Sequence, residues 1–192
     1  MNNTAERDAG GAIYNYADDK TSVVNIFNSY FEGNSSRWGG AIYSMNDGTS
    51  STIVNSVFNS NTSTNAGANL GGGAISGGNV KILNSTFSEN TAYVGGAFFA
   101  SSVVLSNSIF TNNTATHGGG AIYGSRLNVN NSDFISNLAE NGYGSAIYIT
   151  GDTNYISGSR FTSNNTGNGG VVYVAAGSTT VSGSTFTDNK NA

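Results

Sequence analysis

The sequence predicts an all-β fold: a right-handed, single-stranded parallel β-helix, or solenoid, of about seven rungs. Three observations indicate it: a motif that recurs about every 25 residues, a second motif that alternates with the first, and no segment with helical periodicity. Each rung is expected to hold three short strands and to lie about 4.8 Å from the next. The right-handed sense follows from the near-universal hand of crossovers between parallel strands.

The first motif is Asn-Ser-x-Phe-x-x-Asn, hereafter the Phe motif, and residues 84–90 are one copy. Its seven phenylalanines are Phe31, Phe58, Phe87, Phe110, Phe134, Phe161 and Phe186. The phenylalanine and the serine two residues before it do not vary, whereas the position between them does. Alternate strand residues face opposite ways, so the constant positions are predicted to face inward, with the phenylalanines stacked in a ladder.

Both asparagines of the Phe motif are predicted to lie at corners. The first is Asn28, Asn55, Asn84, Asn107 and Asn131, and is replaced by Gly158 and Gly183 in the last two copies. Asparagine and glycine both tolerate a positive φ, which a tight corner requires. The last asparagine is Asn34, Asn61, Asn90, Asn113, Asn137, Asn164 and Asn189. It is predicted to close the unit at a second corner, where stacked amides can hydrogen-bond along the rod.

The second motif, hereafter the Gly-Gly-Ala motif, reads Gly-Gly-Ala-Ile-Tyr in its commonest form. Its apolar column is predicted to face inward: Ile13, Ile42, Ile75, Phe98, Ile122, Ile147 and Val172. An aromatic stripe then faces outward, broken by Ser76: Tyr14, Tyr43, Phe99, Tyr123, Tyr148 and Tyr173. The opposite facing, which buries the alanines against the phenylalanines, also fits the volumes but needs partners for buried tyrosine hydroxyls. A short apolar strand between the motifs completes the rung.

The repeat period and the composition limit which domain organisations and which partners are possible. A fixed period indicates that residues 1–192 form a single array, which we expect to be part of a longer protein. Proline and cysteine are absent, as expected for strands paired on both sides and for a chain without disulfides. The net charge is −4 with no basic cluster, which disfavours nucleic acid. No transmembrane segment or signal peptide is evident, so any export signal is expected outside this sequence.

The paired Gly-Gly-Ala-Ile and Phe-x-x-Asn motifs resemble those of the chlamydial polymorphic outer membrane protein family and of adhesin-like surface proteins of methanogenic archaea. The resemblance covers essentially the whole chain. It implies a right-handed parallel β-helix, an extracellular or cell-surface location, and adhesion to a host or neighbouring cell surface, a glycan or matrix. The family offers no catalytic residues to carry over, because its motifs correspond to structural ladders.

The sequence is compatible with three functions. The leading hypothesis is a non-catalytic, adhesin-like segment that binds through the aromatic stripe, although stacked tyrosines also stabilise a sheet without any ligand. The second is a structural rod or stalk that stacks end to end into a filament. The third, a polysaccharide-active enzyme, would need carboxylates converging on one face. The outward columns of the two motifs do not collect acids on consecutive rungs, so no catalytic residue and no cofactor are predicted.

Several further side chains give separate predictions. Asp18, Asp19 and Asp47 fall in equivalent loops and form a weak Ca²⁺ candidate, for which loop solvation is the simpler explanation. His117 is expected to be an exposed loop residue. Trp38, Tyr93 and Tyr143 are expected to form aromatic caps, and Asp133 and Arg160 to be vertical neighbours on the outside.

Overall fold

The computed structural model describes residues 2–16, 21–44, 48–67 and 71–191. Within these ranges the regular elements are all β-strands, and strands pair in parallel with their equivalents one rung away. Phe58, for example, pairs with Phe31 on one side and with Phe87 on the other. The predicted all-β parallel solenoid, with about seven rungs of about 25 residues, is therefore confirmed.

The described strands form three sheets. The long sheet has eleven strands: Ile13–Asn15, Ser22–Phe27, Ile42–Ser44, Thr49–Val54, Ile75–Leu83, Phe98–Ser106, Ile122–Asn130, Ile147–Ile149, Thr153–Ser157, Val172–Val174 and Ser178–Ser182. The phenylalanine sheet has seven: Tyr30–Glu32, Val57–Asn59, Thr86–Ser88, Ile109–Thr111, Asp133–Ile135, Arg160–Thr162 and Thr185–Thr187. The closing sheet has eight: Thr4–Ala9, Ser35–Trp38, Thr62–Ser63, Thr91–Val94, Thr114–Gly118, Leu138–Ala139, Asn165–Thr166 and Lys190–Asn191.

The assignment of strands within a rung differs from the sequence prediction. The strand of the Gly-Gly-Ala motif and the apolar strand after it belong to one sheet, and in Ile75–Leu83, Phe98–Ser106 and Ile122–Asn130 they are a single nine-residue strand. The third side of the rung is the closing sheet, which the sequence analysis missed. Its inward residues are small, as at Ser36 and Ala115, so these short strands carry no large apolar column.

The phenylalanines of the Phe motif form a continuous ladder through the core. Neighbouring rings are stacked with their centroids 4.6 to 5.0 Å apart and their planes within 11°. This spacing matches the distance between paired strands, so each ring lies directly over the ring of the next rung. The five inner phenylalanines have no exposed surface, whereas Phe31 is half-buried and Phe186 is 47% exposed.

The core also takes both columns of the Gly-Gly-Ala motif. The inner members of the apolar column, from Ile42 to Ile147, are fully buried, and so are the alanines that precede them, such as Ala97 and Ala121. Both are buried because the strand begins after the alanine, so strict alternation does not extend back to it. Phe98 packs its edge against the ladder, 5.5 Å from Phe110 between ring centroids.

The first corner of each rung is the left-handed residue that the sequence predicted. The five asparagines at this position have φ between 46° and 50°, and Gly158 and Gly183 have φ of 57° and 56°. The serine that follows, as at Ser85, donates its hydroxyl to a carbonyl two residues earlier at 2.8 Å. The same oxygen accepts the backbone N–H of Ser56 at 3.1 Å.

The second corner is built by two consecutive residues. The residue before the last asparagine has the positive φ, between 53° and 61°, and is Gly33, Ser60, Glu89, Asn112, Ser136, Ser163 or Asp188. The asparagine itself is buried, and its amide hydrogen-bonds along the rod. Asn113 donates to the side-chain oxygen of Asn137 at 2.9 Å and to the Phe87 carbonyl at 3.0 Å. The amide is therefore satisfied without water.

Candidate binding site

The aromatic stripe is one register column of the long sheet. Tyr14 pairs with Tyr43, Tyr43 with Ser76, and the register continues through Phe99, Tyr123, Tyr148 and Tyr173. Most of this column is partly covered by neighbouring side chains. Tyr14 is 48% exposed, but Tyr43 is buried at 8% and the four residues from Phe99 to Tyr173 are half-buried.

The stripe is covered because the ends of the closing strands lie against it. Trp38, at the end of one closing strand, has its ring 6.0 Å from the Tyr43 ring. Tyr143, in the equivalent position of a later rung, stacks on Tyr173 with 4.5 Å between ring centroids. Trp38 and Tyr143 thus act as the aromatic caps that the sequence suggested, but they cap the stripe itself.

Ser76 divides the stripe into two groups of stacked rings. In the first group, Tyr14 lies between Tyr16 at 6.3 Å and Tyr43 at 5.7 Å. In the second group the ring centroids of successive stripe residues are 5.4, 4.6 and 5.0 Å apart, from Phe99 to Tyr123, Tyr148 and Tyr173. Ser76 itself is buried, so the structure does not bring the two groups into one continuous stack.

A cleft of about 330 Å³ opens beside the second group. Its apolar and aromatic lining is Val94, His117, Tyr123, Tyr143 and Tyr148. Its remaining lining is Asn141, Gly142 and Asn168, and none of these eight residues is an Asp, Glu, Lys or Arg. The sequence pattern predicted the tyrosines, but not the two asparagines or the cleft.

Burial perturbs the tyrosines next to this cleft. Desolvation raises the pKa of Tyr123 and of Tyr148 above the ordinary value of 10.0, and the neighbouring tyrosines raise the pKa of each further. The pKa of Tyr43 in the first group is raised for the same principal reason. These hydroxyls therefore stay protonated at neutral pH, where each can both donate and accept a hydrogen bond.

His117 is exposed, as predicted, but it lies in a closing strand rather than in a loop. Its ring stacks on Tyr93 one rung away, with 4.5 Å between centroids and 16° between planes. Tyr93 therefore supports His117 from one side, and the opposite side of the histidine borders the cleft.

The acidic residues are dispersed. Among the residues that the structure describes, no group of three or more His, Cys, Asp or Glu side chains could hold a metal ion. Asp18, Asp19 and Asp47, the candidate Ca²⁺ ligands, lie outside the described residues. Asp133 and Arg160 are vertical neighbours, as predicted, and Arg160 Nε donates to Asp133 Oδ1 at 2.7 Å on the surface. A second surface pair joins Arg126 to Asp152 at 3.2 Å.

No helix long and apolar enough to cross a membrane occurs among the described residues. The model of a protein family, the Chlamydia polymorphic membrane protein repeat, matches residues 28–45 and 107–125. Each match begins at a left-handed corner asparagine and runs through the Phe motif, the closing strand and the next Gly-Gly-Ala motif. No curated protein and no solved structure matches the chain, and the resemblance to archaeal adhesin-like proteins stays a prediction. In two of its rungs, the chain is thus similar to the repeat of that chlamydial family.

Proposed function

We propose that this chain is a non-catalytic, adhesin-like β-helix segment that is displayed at a cell surface and attaches to a cell, a glycan or matrix. The observation that carries this proposal is the aromatic stripe. The constant residues of both motifs are buried in the core, yet a column of aromatic side chains beside them stays partly exposed along one edge. The match to a repeat of polymorphic membrane proteins supports a surface location.

The rod suits attachment through many weak contacts. Ring stacking and amide ladders hold successive rungs in fixed register, so the groups along the stripe are presented at constant spacing. Several weak contacts made at once by a rigid array add to a high overall avidity. The dispersed acidic residues of the described ranges also fit a protein that binds its partner without cleaving it.

The proposal is tested with beads coated with the folded chain, which are added to cells, a glycan array and matrix proteins. We expect the native chain to bind, and we expect binding to be lost when Tyr14 and Tyr148 are both replaced by serine. The variant should still fold, because Ser76 already occupies this column. Tyr30→Ser is the matched control, since Tyr30 is 60% exposed on the phenylalanine sheet. Binding of the native chain no stronger than that of a scrambled-surface control contradicts the proposal.

A second candidate function, a structural rod that stacks end to end, is favoured by the last described rung. Phe186 is 47% exposed and Val181 is 46% exposed, whereas Phe161 one rung before is fully buried. A second copy stacked on this rung would cover these side chains. Light scattering over a range of concentrations tests this assembly. Growth in mass that Phe186→Glu abolishes supports stacking, and a constant monomer mass counts against it.

A further inference from the structure

We propose that the cleft between His117 and Tyr143 is a binding site for a neutral saccharide. This inference rests on the proposed function, because it names the class of ligand that the second aromatic group would take. The cleft is formed by His117 on one rung and by Asn141 to Tyr143 on the next, with Asn168 from the rung after that.

Two glycines let the groups that wall the cleft approach one another closely. Gly118 pairs with Val94 on one side and with Tyr143 on the other, in the column that holds Trp38 near the start of the rod. Its φ is not positive, so the backbone does not require glycine there. A Cβ on Gly118 would lie 2.9 Å from the ring of Tyr148, so the missing side chain lets that ring lie against the strand.

The second glycine, Gly142, lies over His117. A Cβ on Gly142 would lie 1.4 Å from the His117 carbonyl oxygen, so this position excludes every other residue without a backbone shift. Tyr93, His117 and Gly142 form a separate column, in which two stacked rings are followed by a residue without a side chain. The two glycines therefore allow Tyr148 and His117, which line the cleft, to pack closely against the neighbouring backbone.

The rings around this space are arranged for a ligand with both apolar and polar surfaces. Tyr123 is stacked between Phe99 and Tyr148, so its faces are covered and it can present only an edge. Tyr143 is 42% exposed and stacks by one face on Tyr173. Its other face has no ring partner in the described part of the chain. That face can pack against the C–H surface of a sugar ring, as aromatic linings do in ligand sites.

The polar groups of the cleft are amides rather than ions. Asn141 and Asn168 are both exposed, and each side chain offers donors and an acceptor, as the hydroxyls of a saccharide do. No Asp, Glu, Lys or Arg lines the cleft as the structure describes it, so an anionic or cationic ligand would meet no carboxylate, ammonium or guanidinium partner there. Ring edges are positive, which further disfavours a cation beside Tyr123. A neutral polyhydroxylated ligand fits all of these groups.

The test uses immobilised neutral oligosaccharides of glucose, galactose, mannose and N-acetylglucosamine. Sialylated oligosaccharides serve as the anionic probes and chitosan oligomers as the cationic probes. We expect the folded native chain to bind at least one neutral probe. Gly118→Tyr should weaken that binding by about tenfold or more because its side chain would displace the Tyr148 ring that lines the cleft. Trp38 and Tyr143 show that this column accepts large rings.

Two exposed positions keep the test decisive if Gly118→Tyr does not fold. Tyr143→Leu and Asn141→Ala should each reduce saccharide binding severalfold, whereas Tyr30→Leu, on a different sheet, should not. Binding of no neutral probe, preference for a charged probe, or full binding by Tyr143→Leu and Asn141→Ala overturns the saccharide site. Cell attachment by coated beads is measured in parallel. If attachment persists while saccharide binding is absent, the cleft assignment fails and the proposed adhesive function stands.

Discussion

The side-chain amide of Asn90 donates a hydrogen bond to the side-chain oxygen of Asn113, one rung further along the rod, at 2.9 Å. The backbone N–H of Asn90 donates to the same oxygen at 3.1 Å. Both residues are fully buried. Each asparagine of this ladder therefore accepts hydrogen bonds from the preceding rung. Water cannot take its place, because the position is buried.

We expect Asn113→Ala to destabilise the rod strongly. The change leaves the backbone N–H of Asn90 and one N–H of its side-chain amide without their shared acceptor, and each buried unsatisfied group costs about 1–3 kcal/mol. Urea unfolding measures the loss. Asn25→Ala is the matched control, because Asn25 is exposed in a long-sheet strand. A similar loss in the control would contradict the special role of the ladder.

We expect Asn84→Gly to be tolerated and Asn84→Val to be destabilising. Asn84 has φ of 49°, and glycine occupies the same corner at Gly158 and Gly183. A β-branched side chain in this conformation is strained, at a cost of about 1–3 kcal/mol. Thermal melting of the two variants measures the difference, and equal melting temperatures would refute the corner assignment.

Replacing residues of the phenylalanine ladder by alanine should destabilise the rod more where the ring is more deeply buried. We expect Phe110→Ala to lower the free energy of unfolding by about 3–5 kcal/mol, because the ring is fully buried and its loss leaves a cavity. Phe186→Ala should cost much less, since 47% of that side chain is already exposed. Equal losses in urea unfolding would show that ring burial does not set the stability of the ladder.

Two buried serines should respond to alanine with opposite signs. The Ser145 hydroxyl has no hydrogen-bond partner among the described residues, so Ser145→Ala should stabilise the chain by about 1 kcal/mol. Ser132 donates to the Asn130 carbonyl at 2.7 Å and accepts the Ser108 N–H at 3.2 Å. Ser132→Ala should therefore destabilise it, and melting shifts of the same sign would contradict this reading of the hydroxyls.

Stability should fall at high pH because of the stripe tyrosines. Burial raises the pKa of Tyr43, Tyr123 and Tyr148 above 10.0 in the folded chain. Their contribution is therefore fully present below pH 10 and is lost as the pH rises through the folded values. Tyrosinate absorbance and the unfolding midpoint, followed together across this range, measure the effect. Tyr148→Phe should reduce the fall, and an unchanged fall would exclude a contribution from this residue.

The ladders could be predicted from the sequence because their residues are large or conformationally special. Phe87 and its equivalents recur as the same aromatic residue, and Asn84 shares its position only with asparagine and glycine. The closing sheet could not be predicted in this way. Its inward positions hold Ser36, Ser63 and Thr166, whose small side chains give no hydrophobic period.

The candidate site was only partly predictable for a different reason. The tyrosine column is visible in the sequence, but its exposure depends on Trp38, at the end of a closing strand, and on Tyr143, which lies beyond one. The close packing of the cleft walls depends on Gly118 and Gly142, which become neighbours of Tyr148 and His117 only when the rungs stack. The signal that could have indicated it is the replacement of an aromatic residue by glycine within one column of the repeat.

The constant register described above makes the outer surface of the rod a molecular ruler. Residues of one column, such as Asp133 and Arg160, lie one strand spacing apart, so a count of rungs gives an axial distance. The chain contains no cysteine, and pairs of cysteines introduced on outer columns would carry probes at separations known in steps of about 4.8 Å. The same ruler fixes how far apart a partner's binding groups must be to engage two points of the rod at once.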